Sequence, residues 1–379
     1  MQFHNFDSEA FRRDSWQQQP MVIRGAWLAW SNPLEPDELA GLACEDEIEA
    51  RLVIGGAGDW VLEDGPFAED RFAALGDRPW TLLVQAVDHQ VPAVAALIEP
   101  FRFVPNWRID DVMVSYATDG GGVGPHFDQY DVFLIQGLGK RRWQVGKRCD
   151  ETTELLPHED LRLLAEFEAT DEWVLEPGDI LYVPPGYAHN GVAMGDDCMT
   201  YSVGFRAPSR AELVGHWCQS LMEDLSSDDR YGDPGLAEQA NPGEITAPAI
   251  AALHAMVTEA MSDKAAFARW FGEYNSAPKY PEIDWAPEVP LAVADLSKMV
   301  ADGQILCRNP ASRFSFIRQA GGAVLFVDGE SYECAGDLSG LAEQLCGTDA
   351  IVVDAGSDAQ LCLIAGLHNR GCLGFDDEE

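Results

Sequence analysis

No run of about eighteen apolar residues occurs in the chain, so a membrane-spanning helix is not expected. The N-terminus, MQFHNFDSEAFRRDSWQQQP, has no apolar stretch after a basic start and does not read as a secretory signal. No C-x-x-C pair is present, and the nine cysteines are odd in number and scattered. That usage fits reduced thiols in a cytoplasm better than a disulfide framework or a zinc site. There is no internal repeat. Basic side chains are scarce, with 25 Lys and Arg against 64 Asp and Glu and a formal net charge of −39. A surface of that sign repels nucleic acid and anionic lipid and steers basic partners inward. Solubility or adaptation to salt explains the same acidity, and composition does not separate the two causes.

The 379 residues are 46% hydrophobic, enough to build two or three domains with cores. Up to about Arg206, short β-rich runs alternate with Gly, Pro and Asp: residues 80–87, 111–117, 131–137, 141–146, 179–184 and 199–205. Strands of this length and spacing predict a closed β sandwich or barrel. At Ser209 the texture changes. Ser209 and Glu212 form a capping-box pattern, and Val214, Trp217, Cys218, Leu221 and Met222 repeat at helical spacing. A Gly/Pro/Asp-rich stretch (228–244) precedes a second helix expected over Ala249–Trp270.

A Pro-rich connector (277–290) then sets off a last segment. It carries a predicted helix near Asp295–Ala301, and a hairpin with turns at Gly321-Gly322 and Asp328-Gly329. Helices near Ser339–Cys346 and Ala359–His368 follow, and together these elements resemble a winged helix. From Pro281 to Glu379 there are 5 Lys and Arg against 17 Asp and Glu, the wrong sign for reading DNA. An interaction or structural module is expected there.

The chemistry is carried by a few residues. His126-Phe127-Asp128 places an imidazole and a carboxylate two residues apart, on one side of an extended segment. Two imidazoles and one carboxylate are the donor set of a ferrous centre that keeps three positions open for cosubstrate and dioxygen. His-x-Asp alone is weak in so acidic a chain. Here it follows the glycine-rich turn 120–125 and precedes an apolar strand, where a barrel mouth would lie. The third ligand is expected at His189, after the PGDILYVPPGYA run and its Pro-Pro-Gly turn. A dicarboxylate cosubstrate needs a fixed cation, and an arginine fork meets a carboxylate bidentately. Arg141, in Lys140-Arg141-Arg142-Trp143, shares a strand face with Trp143 and points inward if Trp143 does. Three solvated basic residues are the plainer alternative.

With these residues in place, the chain resembles a JmjC-type oxygenase, specifically the bacterial ribosomal oxygenases. FRFVPNWRIDDVMVSY, GGGVGPHFDQYDVFLIQG and YSVGFRAP carry the resemblance further, most strongly over about 80–208. It implies a mainly β N-terminal double-stranded β-helix (a JmjC/cupin-like jelly roll) over 1–208. An α-helical dimerisation region over 209–276 and an α+β winged-helix-like domain over 277–379 follow. The implied activity is Fe(II)-, 2-oxoglutarate- and O2-dependent hydroxylation of the β-carbon of an arginine in the sixteenth large-subunit ribosomal protein. A basic ribosomal protein substrate and a cytoplasmic homodimer are implied as well. His126, Asp128 and His189 would then be the metal-binding catalytic residues, with Ser115 helping Arg141 hold the distal carboxylate of 2-oxoglutarate. Thr200 stands where relatives can carry asparagine, and Asp119 is assigned nothing firm, although a carboxylate there could meet a guanidinium. Three rivals remain: a JmjC oxygenase or demethylase with another target, a non-catalytic ribosome-binding scaffold, and a cupin-type isomerase or storage barrel. The intact triad with Arg141 speaks against the scaffold. The cupins tend to use more histidines, and this chain has only eight.

Overall fold

The computed structural model describes residues 3–4, 6–55, 60–76, 78–158, 160–347, 350–351 and 356–375. The chain separates into two compact units, one of residues 1–207 with 309–311 and one of 208–308 with 312–379.

The first unit is built on nine strands: β1 (Met21–Ile23), β2 (Ala50–Ile54), β3 (Val61–Asp64), β4 (Trp80–Val84), β5 (Ile109–Ala117), β6 (Asp131–Arg148), β7 (Ala169–Leu175), β8 (Ile180–Val183) and β9 (Tyr187–Phe205). They hydrogen-bond in the order β1-β8-β6-β9-β5-β4-β2-β3, with β7 on the other half of β6. This is the jelly roll expected from the sequence. The runs 131–137 and 141–146, expected as separate strands, are one strand of 18 residues. The run 199–205 is likewise the end of a 19-residue strand. Continuous strands arise here because β6 and β9 pair antiparallel from Asp131↔Phe205 to Arg148↔Tyr187, so each ladder bond holds the next in register. Bulges, not turns, absorb the bends. Register shifts fall between Gln136, Leu138 and Lys140, and Gly139 adopts a left-handed φ of +60°.

Alternation along these strands separates two cores. Phe133, Ile135, Val112, Val114, Tyr201 and Val203 face a layer of short helices and join the larger core. That layer includes α1 (Ser8–Asp14) and α2 (Pro36–Leu42), which bury Phe11 and Leu39. Val132, Leu134, Trp143, Val145, Leu175 and Leu181 form a second core on the opposite face, the barrel interior. Asp131, fully buried at 0% exposure, pins the helical layer to β6. It accepts from Tyr182 Oη at 2.6 Å, Gln17 Nε2 at 2.9 Å and Arg108 at 3.0 Å.

The second unit opens with α3 (Arg210–Asp224), whose Ser209–Glu212 capping box is formed as the sequence predicts. The single helix expected over 249–270 is two, α4 (Ala247–Ala260) and α5 (Lys264–Ser276). The break has a local cause: Asp263 caps α5, its carboxylate accepting from the Ala265 and Ala266 amides. Aromatic residues tie α3 to α5, with Trp217 against Phe267 and Trp270 at centroid separations of 5.6 and 5.2 Å. α4 buries none of its residues.

The remainder comprises α6 (Val293–Ala301), β10 (Leu306–Arg308), β11 (Phe314–Gln319), β12 (Gly322–Val327), β13 (Glu330–Ala335), α7 (Asp337–Gly347), β14 (Ala350–Ile351), α8 (Asp358–Asn369) and β15 (Leu373–Phe375). The expected hairpin is a three-stranded meander. Its first turn is Ala320-Gly321, one residue earlier than expected, because Gln319 pairs with Gly322. The second is Asp328-Gly329, both with positive φ as a two-residue hairpin loop requires.

α5 packs on this meander through Gly272, where a Cβ would lie 2.4 Å from the Phe326 ring. Gly272→Ala is expected to destabilise the second unit by about 1–3 kcal/mol through overpacking. Scanning calorimetry checks this, and an unmoved transition would show that Phe326 yields freely.

Candidate metal centre

The glycine-rich segment after β5 runs beside the first half of β9. Gly120 N donates to Ala193 O at 3.1 Å and Ala193 N to Gly121 O at 2.8 Å. His126 and His189 then form an isolated antiparallel bridge, His126 N to His189 O at 3.0 Å and His189 N to His126 O at 2.8 Å. Only glycine fits at 122, where a Cβ would meet Gly191 O at 2.4 Å. On the other side of the site the Pro-Pro-Gly turn is held by Gly186 N donating to Asp128 O at 2.6 Å. Gly186 is left-handed at φ +80°. His126-Phe127-Asp128 is therefore extended but lies outside any regular strand, and backbone bonds from two directions hold it.

The side chains converge. The His126 and His189 rings are 4.3 Å apart at 57°. Asp128 Oδ2 lies 3.7 Å from His126 Nε2 and 3.6 Å from His189 Nε2. One ligand atom from each of the three lies within 4.8 Å of the others, and no other such group occurs among the described residues. Each histidine places Nδ1 against the carbonyl two residues before it, Gly124 O at 2.9 Å and Tyr187 O at 3.0 Å. A carbonyl can only accept, so Nδ1 carries the proton and Nε2 keeps its lone pair aimed at the shared point. Burial pushes the His189 imidazole well below its usual range, the nearby His126 adds to this, and Asp128 opposes it. A neutral ring is the form that ligates a metal.

Arg141 lies inside the barrel at 3% exposure, with Trp143 beside it at 5%, while Lys140 and Arg142 are exposed. The inward reading of this strand is the one observed. The guanidinium stands 5.8 Å from the Trp143 ring, which is 6.0 Å from His189. Arg141 Nε and Nη2 and Trp143 Nε1 are buried without hydrogen-bond partners. A buried cationic fork with unmatched donors suits an anion, and a dicarboxylate with one end on a metal matches both features. Ser115 is 4% exposed, its hydroxyl 3.5 Å from Thr200 O. It pairs across with Thr200, which pairs in turn with Gln136. Ala193, paired with Arg141, packs on Ala117 and Cys198 next to that row. Asp119 is turned to the rim, accepting from Gly195 N at 2.6 Å.

Sequence reasoning passed over two neighbours. Gly191 makes room for Trp143, since a Cβ there would sit 2.6 Å from the indole. A glycine inside a strand pattern was the available signal. Tyr130 stands by Asp128; the residue is 44% exposed, but protein crowded round the phenol and then the Asp128 and Asp111 carboxylates raise it above the usual range.

Residues 96–213 match the JmjC domain family, and residues 259–373 match the ROXA-like winged helix. Ribosomal protein uL16 3-hydroxylase of Escherichia coli K12 is 39% identical over 370 residues, 97% of each chain. The chain belongs to the JmjC-type ribosomal oxygenases. A probable ribosomal oxygenase of Haemophilus influenzae is 44% identical over 208 residues, 54% of this chain and 51% of that one. Crystallographic E. coli YcfD superposes with a TM-score of 0.90 at 35% identity, over 99% of this chain and 100% of that one. Another structure, of YcfD with cobalt and 2-oxoglutarate, superposes at 0.87 over 99% of each chain, with 35% identity. Cobalt stands there for the ferrous ion, and a ribosomal oxygenase of this kind is a 2-oxoglutarate-dependent dioxygenase.

The histidine geometry has a measurable consequence. An unfolded histidine takes up its proton as pH falls through about 6.5, whereas folded His189 does so only at lower pH. The unfolded state therefore binds more protons in that window, and the metal-free protein loses stability as pH falls through it. In 15N NMR of the metal-free protein near pH 6, His189 should remain neutral with its proton on Nδ1. An imidazolium signal there would contradict this geometry.

Proposed function

We propose that this ribosomal oxygenase hydroxylates the β-carbon of an arginine in its organism's uL16 ribosomal protein. His126, Asp128 and His189 hold Fe(II), while Arg141 and Ser115 hold the distal carboxylate of 2-oxoglutarate. One observation carries the residue assignment: three ligand atoms meet within 4.8 Å in the same barrel that buries Arg141 with unmatched donors. The uL16 target is supported by the E. coli relative's name and by the net charge of −39, which favours a basic partner. Fe(II) held by His126, Asp128 and His189 would supply the oxidative chemistry in which 2-oxoglutarate and dioxygen give succinate and CO2 while one oxygen atom of dioxygen goes to succinate and the other to the hydroxylated carbon. The protein's own part is positional. The Nδ1–carbonyl bonds fix the tautomer and aim of both imidazoles, Arg141 orients the cosubstrate, and the apolar interior around Val132, Leu134 and Trp143 excludes water. No side chain need move a proton to or from the substrate carbon.

We read residues 1–208 as the catalytic domain, 209–276 as a dimerisation region and 277–379 as a winged-helix-like domain that does not bind nucleic acid, in a cytoplasmic homodimer. Ile250, Leu253 and Val257 are 52%, 42% and 61% exposed on one face of α4, a stripe that a second copy would cover.

His126→Ala and Asp128→Ala should fold and lose turnover. Arg141→Ala should weaken 2-oxoglutarate binding by about 2 kcal/mol or more. Incubation with uL16, Fe(II) and 2-oxoglutarate, followed by peptide mass analysis, should show one added oxygen on an arginine peptide. Formaldehyde release without that product would instead indicate demethylation. Replacing Leu253 and Val257 together by Asp should halve the mass in sedimentation, and an unchanged mass would exclude this face.

A further inference from the structure

We infer that Gln136 is a positioning residue for the cosubstrate anchor: its side-chain amide clamps the β6 bulge that turns Arg141 into the barrel, and Thr200 sets that amide's orientation. The inference rests on the reading of Arg141 as the 2-oxoglutarate anchor. Before the bulge, even-numbered residues face the interior, as Val132 and Leu134 do. Uninterrupted alternation would carry positions 140 and 142 inward and turn Arg141 out. Beyond the bulge, however, Arg141, Trp143 and Val145 are the inward residues, and Leu138 packs with the outer core. The delivery of Arg141 thus depends on a one-residue change of phase within Gln136–Lys140.

That change needs a holder, because Gly137 and Gly139 have little conformational preference of their own. Gln136 is 0% exposed and rooted by its backbone, its N donating to Asp179 O at 2.9 Å and its O accepting from Gly178 N at 2.8 Å. Its Nε2 lies 2.7 Å from Leu138 O, inside the bulge, and 3.1 Å from Met199 O on the facing strand. Two amide hydrogens meet two carbonyls. Cys198 Sγ stands further off at 3.5 Å. The Oε1 atom receives the Thr200 hydroxyl at 3.4 Å, and Thr200 is 1% exposed, beyond the reach of solvent. Flipping the amide would set Oε1 against two carbonyl oxygens and Nε2 against a hydroxyl, so the observed orientation is the one these partners select. Thr200, which the sequence left without a role, acquires one here.

The test uses the full-length protein loaded with Mn(II) and titrated calorimetrically with 2-oxoglutarate, and separately with pyruvate, a 2-oxo acid lacking the distal carboxylate. Gln136→Met should weaken 2-oxoglutarate binding about tenfold, the loss expected when a buried hydrogen-bonding pair is broken. Mn(II) and pyruvate binding should stay within about twofold, and in turnover KM for 2-oxoglutarate should rise while kcat changes little. Thr200→Val should reproduce part of the loss, Thr200→Ser should restore binding, and Thr200→Val should add nothing to Gln136→Met. Wild-type 2-oxoglutarate affinity in Gln136→Met, or an equal loss for pyruvate, overturns the clamp. If Arg141→Ala weakens 2-oxoglutarate and Gln136→Met does not, the clamp alone fails. If Arg141→Ala binds normally, the anchor reading fails and the clamp with it. Should Gln136→Met not fold, the Thr200→Val and Thr200→Ser pair carries the same comparison.

Discussion

A guanidinium cannot be taken out of water without something to meet it. An unpaired buried charge costs several kcal/mol, and arginine does not escape by losing its proton. Arg141 is buried nonetheless, with two of its nitrogen positions unmatched. Much of the surrounding architecture makes that position possible. The bulge in β6 sets the phase, Trp143 lies alongside, and the opposing strand presents only Ala193 and Gly191 where larger side chains would crowd. Instability of this kind is tolerated where an anion is to be received, and it makes the barrel interior a site as well as a core.

The candidate metal site in the same barrel is built by a different device. Two histidines from segments distant in sequence are brought face to face by a pair of backbone hydrogen bonds, so the rings inherit their spacing from the chain. Each ring is then rotated by the carbonyl two residues upstream, which also decides where its proton sits. Asp128 needs no such tether to a partner strand. Its own backbone carbonyl, bonded to Gly186, ties the ligand segment to the turn that leads into His189. Ring spacing and tautomer therefore come from main-chain contacts.

The second unit follows another logic. Its meander and helices close a core around Leu296, Leu325, Leu345 and Ile364, whereas α4 contributes nothing to any interior. An exposed apolar stripe of this kind is a surface suited to protein interaction. The acidity of the last hundred residues is opposite in sign to what reading DNA requires.

Much of this protein was determined by local sequence. A closed β sandwich or barrel was legible in the spacing of β-rich runs, its double-stranded β-helix form in the family resemblance, the start of α3 in Ser209 and Glu212, and the meander turns, the first of them to within one residue, in their glycines. Histidine and aspartate two apart offered two candidate ligands, because an extended chain puts such residues on one side. Tertiary structure decided the rest. Two strands expected to be separate became β6, and the run 199–205 extended back to Tyr187 as β9, since ladder bonding along a partner overrides a glycine that looks like a stop. The second helix broke at Asp263, where a capping carboxylate competes with continuation. Above all, alternation within KRRW could say only that Arg141 goes where Trp143 goes. Which way both face depends on the phase of a bulge held by contacts from another strand, and no local pattern encodes that.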